Sequence, residues 1–192
     1  MPRIWIFGLL SLALVPPAIA AETWTVADTS RIGFTAFQKD QPVEGGFESF
    51  SAEVAFDPDD LEASRVEVTI DAASITTGHK DRDATLRNTS FFDVAQWPTA
   101  RFVADRLQHQ GGTAYQAAGQ LTIRDVTQDV VLPFELTIAD DPDDAGRLLA
   151  TAKGELTISR LDYGVGQGEW ASTGTIGADV IIRIEVEATR PR

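Results

Sequence analysis

The side chains that most often move protons near neutrality or hold transition metals are scarce in this 192-residue chain. Histidine occurs only at His79 and His109, and cysteine is absent. The nitrogen and sulfur ligands of an ordinary zinc site are therefore too few. His79 beside Asp81 and Asp83 is the one local cluster of metal-binding type, and a solvated loop accounts for it better. Asp57-Pro58-Asp59-Asp60 and Asp140-Asp141-Pro142-Asp143-Asp144 are rich in oxygen. Neither has the ligand spacing or the closing glutamate of an EF-hand loop, so both read as charged turns. There is no Gly-x-Ser-x-Gly elbow, no Walker loop and no His-Glu-x-x-His. Gly164-Val165-Gly166-Gln167-Gly168 approaches a glycine-rich phosphate loop, but its second spacing is one residue short and no strand–helix context surrounds it. A wide hairpin or barrel rim is the better reading. The chain reads as a non-enzyme, with no metal and no catalytic residue assigned.

The elements that would position any site are strands almost throughout. Phe50, Ala52, Val54 and Phe56 alternate with polar or small residues, as do Val66, Val68 and Ile70. The pattern returns at Val130, Leu132, Phe134, Leu136 and Ile138, and at Val180, Ile182, Ile184 and Val186. A period of two places one row on a buried sheet face and the other in water. A first strand is expected from Trp24 to Phe37. Hairpin loops are expected at Gly45-Gly46, at Gln110-Gly111-Gly112 and at Asp143-Asp144-Ala145-Gly146, where glycine reaches positive φ. The runs number about eight, as in a small closed antiparallel barrel. The only helical signal lies between Thr77 and Trp97, with Asp81 as the expected cap of a turn or two. Its aromatic residues make it the place to look for a cap over the barrel mouth.

Composition and address agree with a self-sufficient exported fold. The net charge of −13 argues against nucleic-acid or anionic-membrane binding. Arg3, the apolar run Ile4–Val15 and the small-x-small pattern Ala18-Ile19-Ala20 read as a signal peptide over residues 1–20, cut after Ala20. One domain, residues 21–192, then remains. In a Gram-negative host its address is the periplasm.

Specific strings carry a resemblance. They are Trp24-Thr25-Val26-Ala27-Asp28, Ser30-Arg31-Ile32-Gly33-Phe34, Val43-Glu44-Gly45-Gly46-Phe47 and Phe56-Asp57-Pro58-Asp59-Asp60-Leu61. Ile75-Thr76-Thr77-Gly78, Arg82-Asp83, Leu86-Arg87, Phe91-Phe92-Asp93 and Trp97-Pro98 follow, then Gly119 to Thr127. In order and over essentially all of residues 21–192, they resemble the YceI-like family of exported, lipocalin-like barrels. The resemblance implies an eight-stranded antiparallel barrel with an internal tunnel. Relatives hold polyisoprenoid chains, isoprenoid quinones or long-chain fatty amides there. No catalytic residue is generally assigned, and a bound isoprenoid or quinone-type lipid takes the place of a cofactor. The stretch Ser159 to Trp170 is similar to a subgroup associated with cytochrome-b-type membrane proteins, which makes such a protein an expected partner.

The apolar rows give the same expectation from the residues themselves. Phe34, Phe50, Val54, Phe56, Val68, Ile70, Phe102, Leu121, Ile123, Phe134, Leu136, Val180 and Ile182 are the inward candidates. They either pack on one another or line a tunnel for a long-chain apolar lipid. Small residues among them, such as Ala52, Ala104, Ala117, Gly119, Ala150 and Ala152, tilt the balance to a cavity. Phe91, Phe92 and Trp97 either cap that tunnel or seal the core, and Trp170 plugs one end. Arg82, with Thr77 or Arg87, meets a ligand head group; alternatively Arg82 and Asp83 fix the loop as an ion pair. A lipid-modifying enzyme using Asp83, Asp93 or His79 as acid or base is a further reading.

Overall fold

The computed structural model describes residues 21–192, so the expected signal peptide lies outside the described residues. The strands are β1 (Thr23–Val26), β2 (Arg31–Gln38), β3 (Gln41–Phe47), β4 (Phe50–Ala55), β5 (Arg65–Asp71), β6 (Ile75–Thr76), β7 (Thr99–Gly111), β8 (Ala114–Ile123), β9 (Val126–Asp140), β10 (Arg147–Ser159) and β11 (Ile176–Pro191). One helix, α1 (Lys80–Arg87), joins β6 to β7. All pairings are antiparallel, and β1 pairs with β4 on one side and β11 on the other. That closes the ring, although β9 and β10 part beyond Phe134↔Gly154. The eleven segments are eight strands, because β1/β2, β3/β4 and β5/β6 are each one strand broken by a bend.

The expected single strand from Trp24 to Phe37 is one strand of the ring, interrupted once between β1 and β2. Its break at 27–30 is held against β11: Ala27 N–H donates to Glu187 O at 2.8 Å, and Ser30 Oγ both donates to Glu187 O and accepts from Glu187 N–H. A kink of this kind re-aims a strand so that a small barrel can close. Pro133, inside β9, costs the wall little, because the β9–β10 pairing ends next to it at Phe134↔Gly154.

Gly45-Gly46 is not a turn, contrary to expectation. Both residues lie inside β3, with Gly45 opposite Phe34 and Gly46 opposite Gly33. The turn falls at Lys39-Asp40, both at positive φ (47° and 61°), as a two-residue hairpin of primed type requires. Gly45 serves a packing purpose: a Cβ there would lie 2.3 Å from the Phe34 ring. The other two hairpins fall where expected, with Gly111 and Gly112 both at positive φ. Gly119 is also a close-approach residue rather than a wall of empty space. A Cβ on it would meet Val103 O and the Cα of Ala104 beside the bulge in β7.

α1 is anchored from its first turn. His79 is the N-cap and makes no side-chain capping bond, whereas Asp81, expected as the cap, sits within the helix. Asp83 is buried and accepts from Thr77 N–H at 2.8 Å, Thr77 Oγ1 at 2.5 Å and Thr76 Oγ1 at 3.4 Å. Arg87 at the other end donates to Ala73 O and Ile75 O. Both ends are therefore tied to the β5–β6 corner. The Thr77 hydroxyl holds the Asp83 carboxyl below its ordinary value, against the opposing effect of burial, with help from Thr77 N–H, Thr76 and the Arg87 charge.

Two expectations follow. Gly45→Ala should destabilise the barrel by about 1–3 kcal/mol in urea unfolding, as overpacking does. In a Phe34→Ala background it should cost almost nothing, because the clash has gone. Asp83→Asn should lower Tm at neutral pH. Because the folded pKa is depressed, the contribution of Asp83 exists above its unfolded pKa, about 3.9, and is lost as pH falls through the folded value. The Tm gap between wild type and variant should accordingly shrink in melts at progressively lower pH.

Candidate functional site

The inward rows do not fill the barrel. Two connected chambers remain, one of about 480 Å³ under α1 and one of about 190 Å³ at the far end, where β1 closes the ring. The larger alone falls within the roughly 300–1,000 Å³ usual for small-molecule sites. They meet at Ile32, Ile70, Leu121 and Ile182, which belong to the walls of both.

The outer chamber is walled by Phe34, Ile123 and Val180 from the strands, and by Phe91, Phe92 and Trp170 from the connections above them. The aromatic rings run in contact: Phe34–Phe47 and Phe47–Phe92 at 6.0 Å between centroids, and Phe91–Trp170 at 5.5 Å. Polar groups enter this chamber mainly at the turn into α1, through Thr77, His79, Asp81, Arg82 and Thr85, with Gln38 across from them; Arg160 is a separate polar residue on its wall. Phe50, Val54, Phe56, Val68, Phe102, Phe134 and Leu136 wall the inner chamber, and every residue around it is apolar. Ala52, Ala117, Ala150 and Ala152 also face it, and their short side chains leave the space open. Trp24 stands at its end, with its indole N–H donating to Phe56 O at 2.9 Å and the Arg190 guanidinium stacked 5.1 Å away.

Three residues grouped with these in the sequence lie elsewhere. Trp97 is not on the cavity wall; it stacks outside it beneath Arg124, 4.3 Å from the ring centroid. Arg87 spends its guanidinium on the backbone of the β5–β6 corner. Asp83 is bonded to threonines and not to Arg82, so the expected Arg82–Asp83 ion pair does not form. Arg82 instead donates through Nε to Thr77 Oγ1 at 2.8 Å and through Nη2 to Thr77 O at 3.2 Å. Its Nη1 has no hydrogen bond among the described residues. Asp93, the other acid–base candidate, is outside the chamber walls, at φ 47° in a turn.

The most consequential residue that the sequence did not single out is Arg160. It is buried on the wall of the outer chamber. All of its hydrogen bonds go to backbone carbonyls: Nε to Gly177, Nη1 to Val165 and Gly166, and Nη2 to Trp170 and Ile176. Burial pushes its pKa down, yet a guanidinium keeps its proton in proteins. A buried cation without these bonds would be costly, so the five carbonyls and the arginine fix each other. The segment 165–177 is thereby drawn across the outer chamber. The glycines of this segment serve the arrangement. A Cβ on Gly166, at φ 83°, would overlap Arg160 Nη1. The N–H groups of Gly166 and Gln167 both donate to Ser90 O at 2.8 Å. They face a protein carbonyl, which accounts for the segment as a rim and not as a phosphate loop. Arg124 completes the tie, donating to Phe91 O at 2.6 Å and Gly164 O at 2.9 Å. Only the isolated Ser159-Arg160 string signalled this, since an arginine in the buried row of a strand end needs partners.

The geometry can be compared with known proteins. The YceI-like domain profile matches residues 24–188. UPF0312 protein ECA1782 of Pectobacterium atrosepticum is 32% identical over 148 residues, 77% of this chain and 74% of its own length. BcnA of Burkholderia cenocepacia superposes with a TM-score of 0.75 at 31% identity, covering 84% of this chain and 98% of its own. A polyisoprenoid binding domain from Saccharophagus degradans, at 15% identity, has a TM-score of 0.67 over 88% of this chain and 98% of its own, a likeness of fold. With the profile running from the strand that closes the ring to the strand it closes against, this chain belongs to the YceI-like family.

Proposed function

We propose that the chain is an exported binding protein that holds a single long isoprenoid chain, of polyprenyl or quinone type, along the barrel axis. The observation that carries this reading is the inner chamber, a space of about 190 Å³ without one polar residue on its wall. Water gains nothing there, whereas a hydrocarbon gains about 0.8 kcal/mol per buried methylene. Apart from Arg160, whose donors are spent on backbone carbonyls, the polar groups of the outer chamber gather at its α1 mouth. This asymmetry suits a ligand with an apolar tail and one polar end, tail inward and head beside Arg82 and Thr77. The unbonded Nη1 of Arg82 supplies a donor for an oxygen on that head. The polyisoprenoid binding domain of the same fold lends support.

Binding is favoured over catalysis by what the acids do. The Asp83 carboxylate is engaged by three donors that hold it ionised, a poor state for delivering a proton near neutrality. Asp93 does not reach the chamber.

Protein purified from its own host should release a prenyl lipid into organic solvent, identified by mass spectrometry. Recovery of stoichiometric protein with no lipid, and no uptake of prenol by the empty barrel, would overturn the reading. Arg160→Lys cannot reproduce five planar donors and should loosen segment 165–177. Ligand dissociation should then accelerate by about tenfold, while far-UV circular dichroism keeps its strand signature.

A further inference from the structure

Resting on the binding reading above, one feature of the cavity goes further: it is divided. Ile32, Ile70, Leu121 and Ile182 come from β2, β5, β8 and β11, of which β2 and β11 are paired neighbours, and border both chambers. They form a waist between a larger chamber with a polar mouth and a smaller apolar one. An apolar cavity of about 150 Å³ takes one benzene, roughly six carbons. By that measure the outer chamber, about 480 Å³, accommodates roughly 20 carbons, or about four isoprene units. The inner chamber, about 190 Å³, accommodates about one unit more.

We infer that the waist and inner chamber set the length of the chain this protein selects. A tail of up to about four isoprene units lies wholly in the outer chamber and leaves the inner one empty, whereas a fifth passes the waist and fills it. The alanines at the inner end make this possible. Ala52 on β4 and Ala152 on β10 lie on its wall, half-buried, where larger side chains would occupy the same volume. Selection then comes from apolar contact at the tail's end and is independent of the head group held at the mouth.

The test uses delipidated protein and displacement of a bound solvatochromic dye by farnesol, geranylgeraniol and geranylfarnesol, each one isoprene unit longer than the last. Wild type should bind geranylfarnesol about tenfold or more tighter than geranylgeraniol, because the added unit enters a dry apolar space. Ala152→Leu and, from another wall, Ala52→Leu should each abolish that step and leave farnesol and geranylgeraniol binding unchanged. If both variants keep the geranylfarnesol advantage, or if they weaken all three prenols equally, the length-selection inference is wrong while the binding reading stands. If no prenol displaces the dye from wild type, the binding reading itself fails.

Discussion

A closed ring of eight antiparallel strands leaves a bore that side chains from opposite walls just reach across, so the size of the inward residues decides what fills it. Here branched aliphatic residues meet at the waist, and beyond it small residues are set among the aromatic rings. Ile32, Ile70, Leu121 and Ile182 narrow the bore, and Ala52, Ala117, Ala150, Ala152 and Ala188 fail to fill the space behind them. Everything proposed about the molecule depends on that shortfall. Had these alanines been leucines, the same fold would keep its outer chamber and lose the inner one.

Keeping the space open requires walls that do not collapse, and three polar nodes brace the end where strands are interrupted. Asp83 ties α1 to the β5–β6 corner through Thr76 and Thr77. Arg160 draws segment 165–177 over the outer chamber through five carbonyls. Arg124 joins that segment to the turn holding Phe91, with Trp97 packed on its open face. In each, a charged group is satisfied mainly by backbone or hydroxyl partners. Such bonds fix loops that lack a ladder of their own. The aromatic residues Phe91, Phe92 and Trp170 hang from these braced segments into the chamber, so its roof is built by polar bonds and surfaced by rings.

The acid–base and metal-like groups noticed first in the sequence find structural employment or solvent. The carboxylate of Asp83 is a brace, Asp81 opens a helix turn at the mouth, and the glycine-rich stretch is a rim whose amides point at Ser90. A reading that began with chemistry thus ends with shape. Polar residues cluster at the α1 mouth of the outer chamber, and the inner chamber is apolar throughout.

Alternation of apolar residues was enough to reveal the strands and which rows face inward, because a period of two is a local property of extended backbone. It was legible in Val66-Val68-Ile70 and in Val180-Ile182-Ile184 alike. The hairpin at Gly111-Gly112 was legible for a similar reason, since positive φ is a demand each residue meets alone. Gly45 was misread because its purpose is contact with Phe34 across a strand pair, which no local signal encodes. Trp97 and Arg160 belong to the same class: one was a candidate for cap or core seal and is packed beneath Arg124, and the other was given no role of its own and holds the rim. Local chain stiffness and amphipathicity are written residue by residue. The emptiness of the bore, its waist and the partners of its buried charges depend on volumes and distances between segments far apart in sequence, which exist only once the ring has closed.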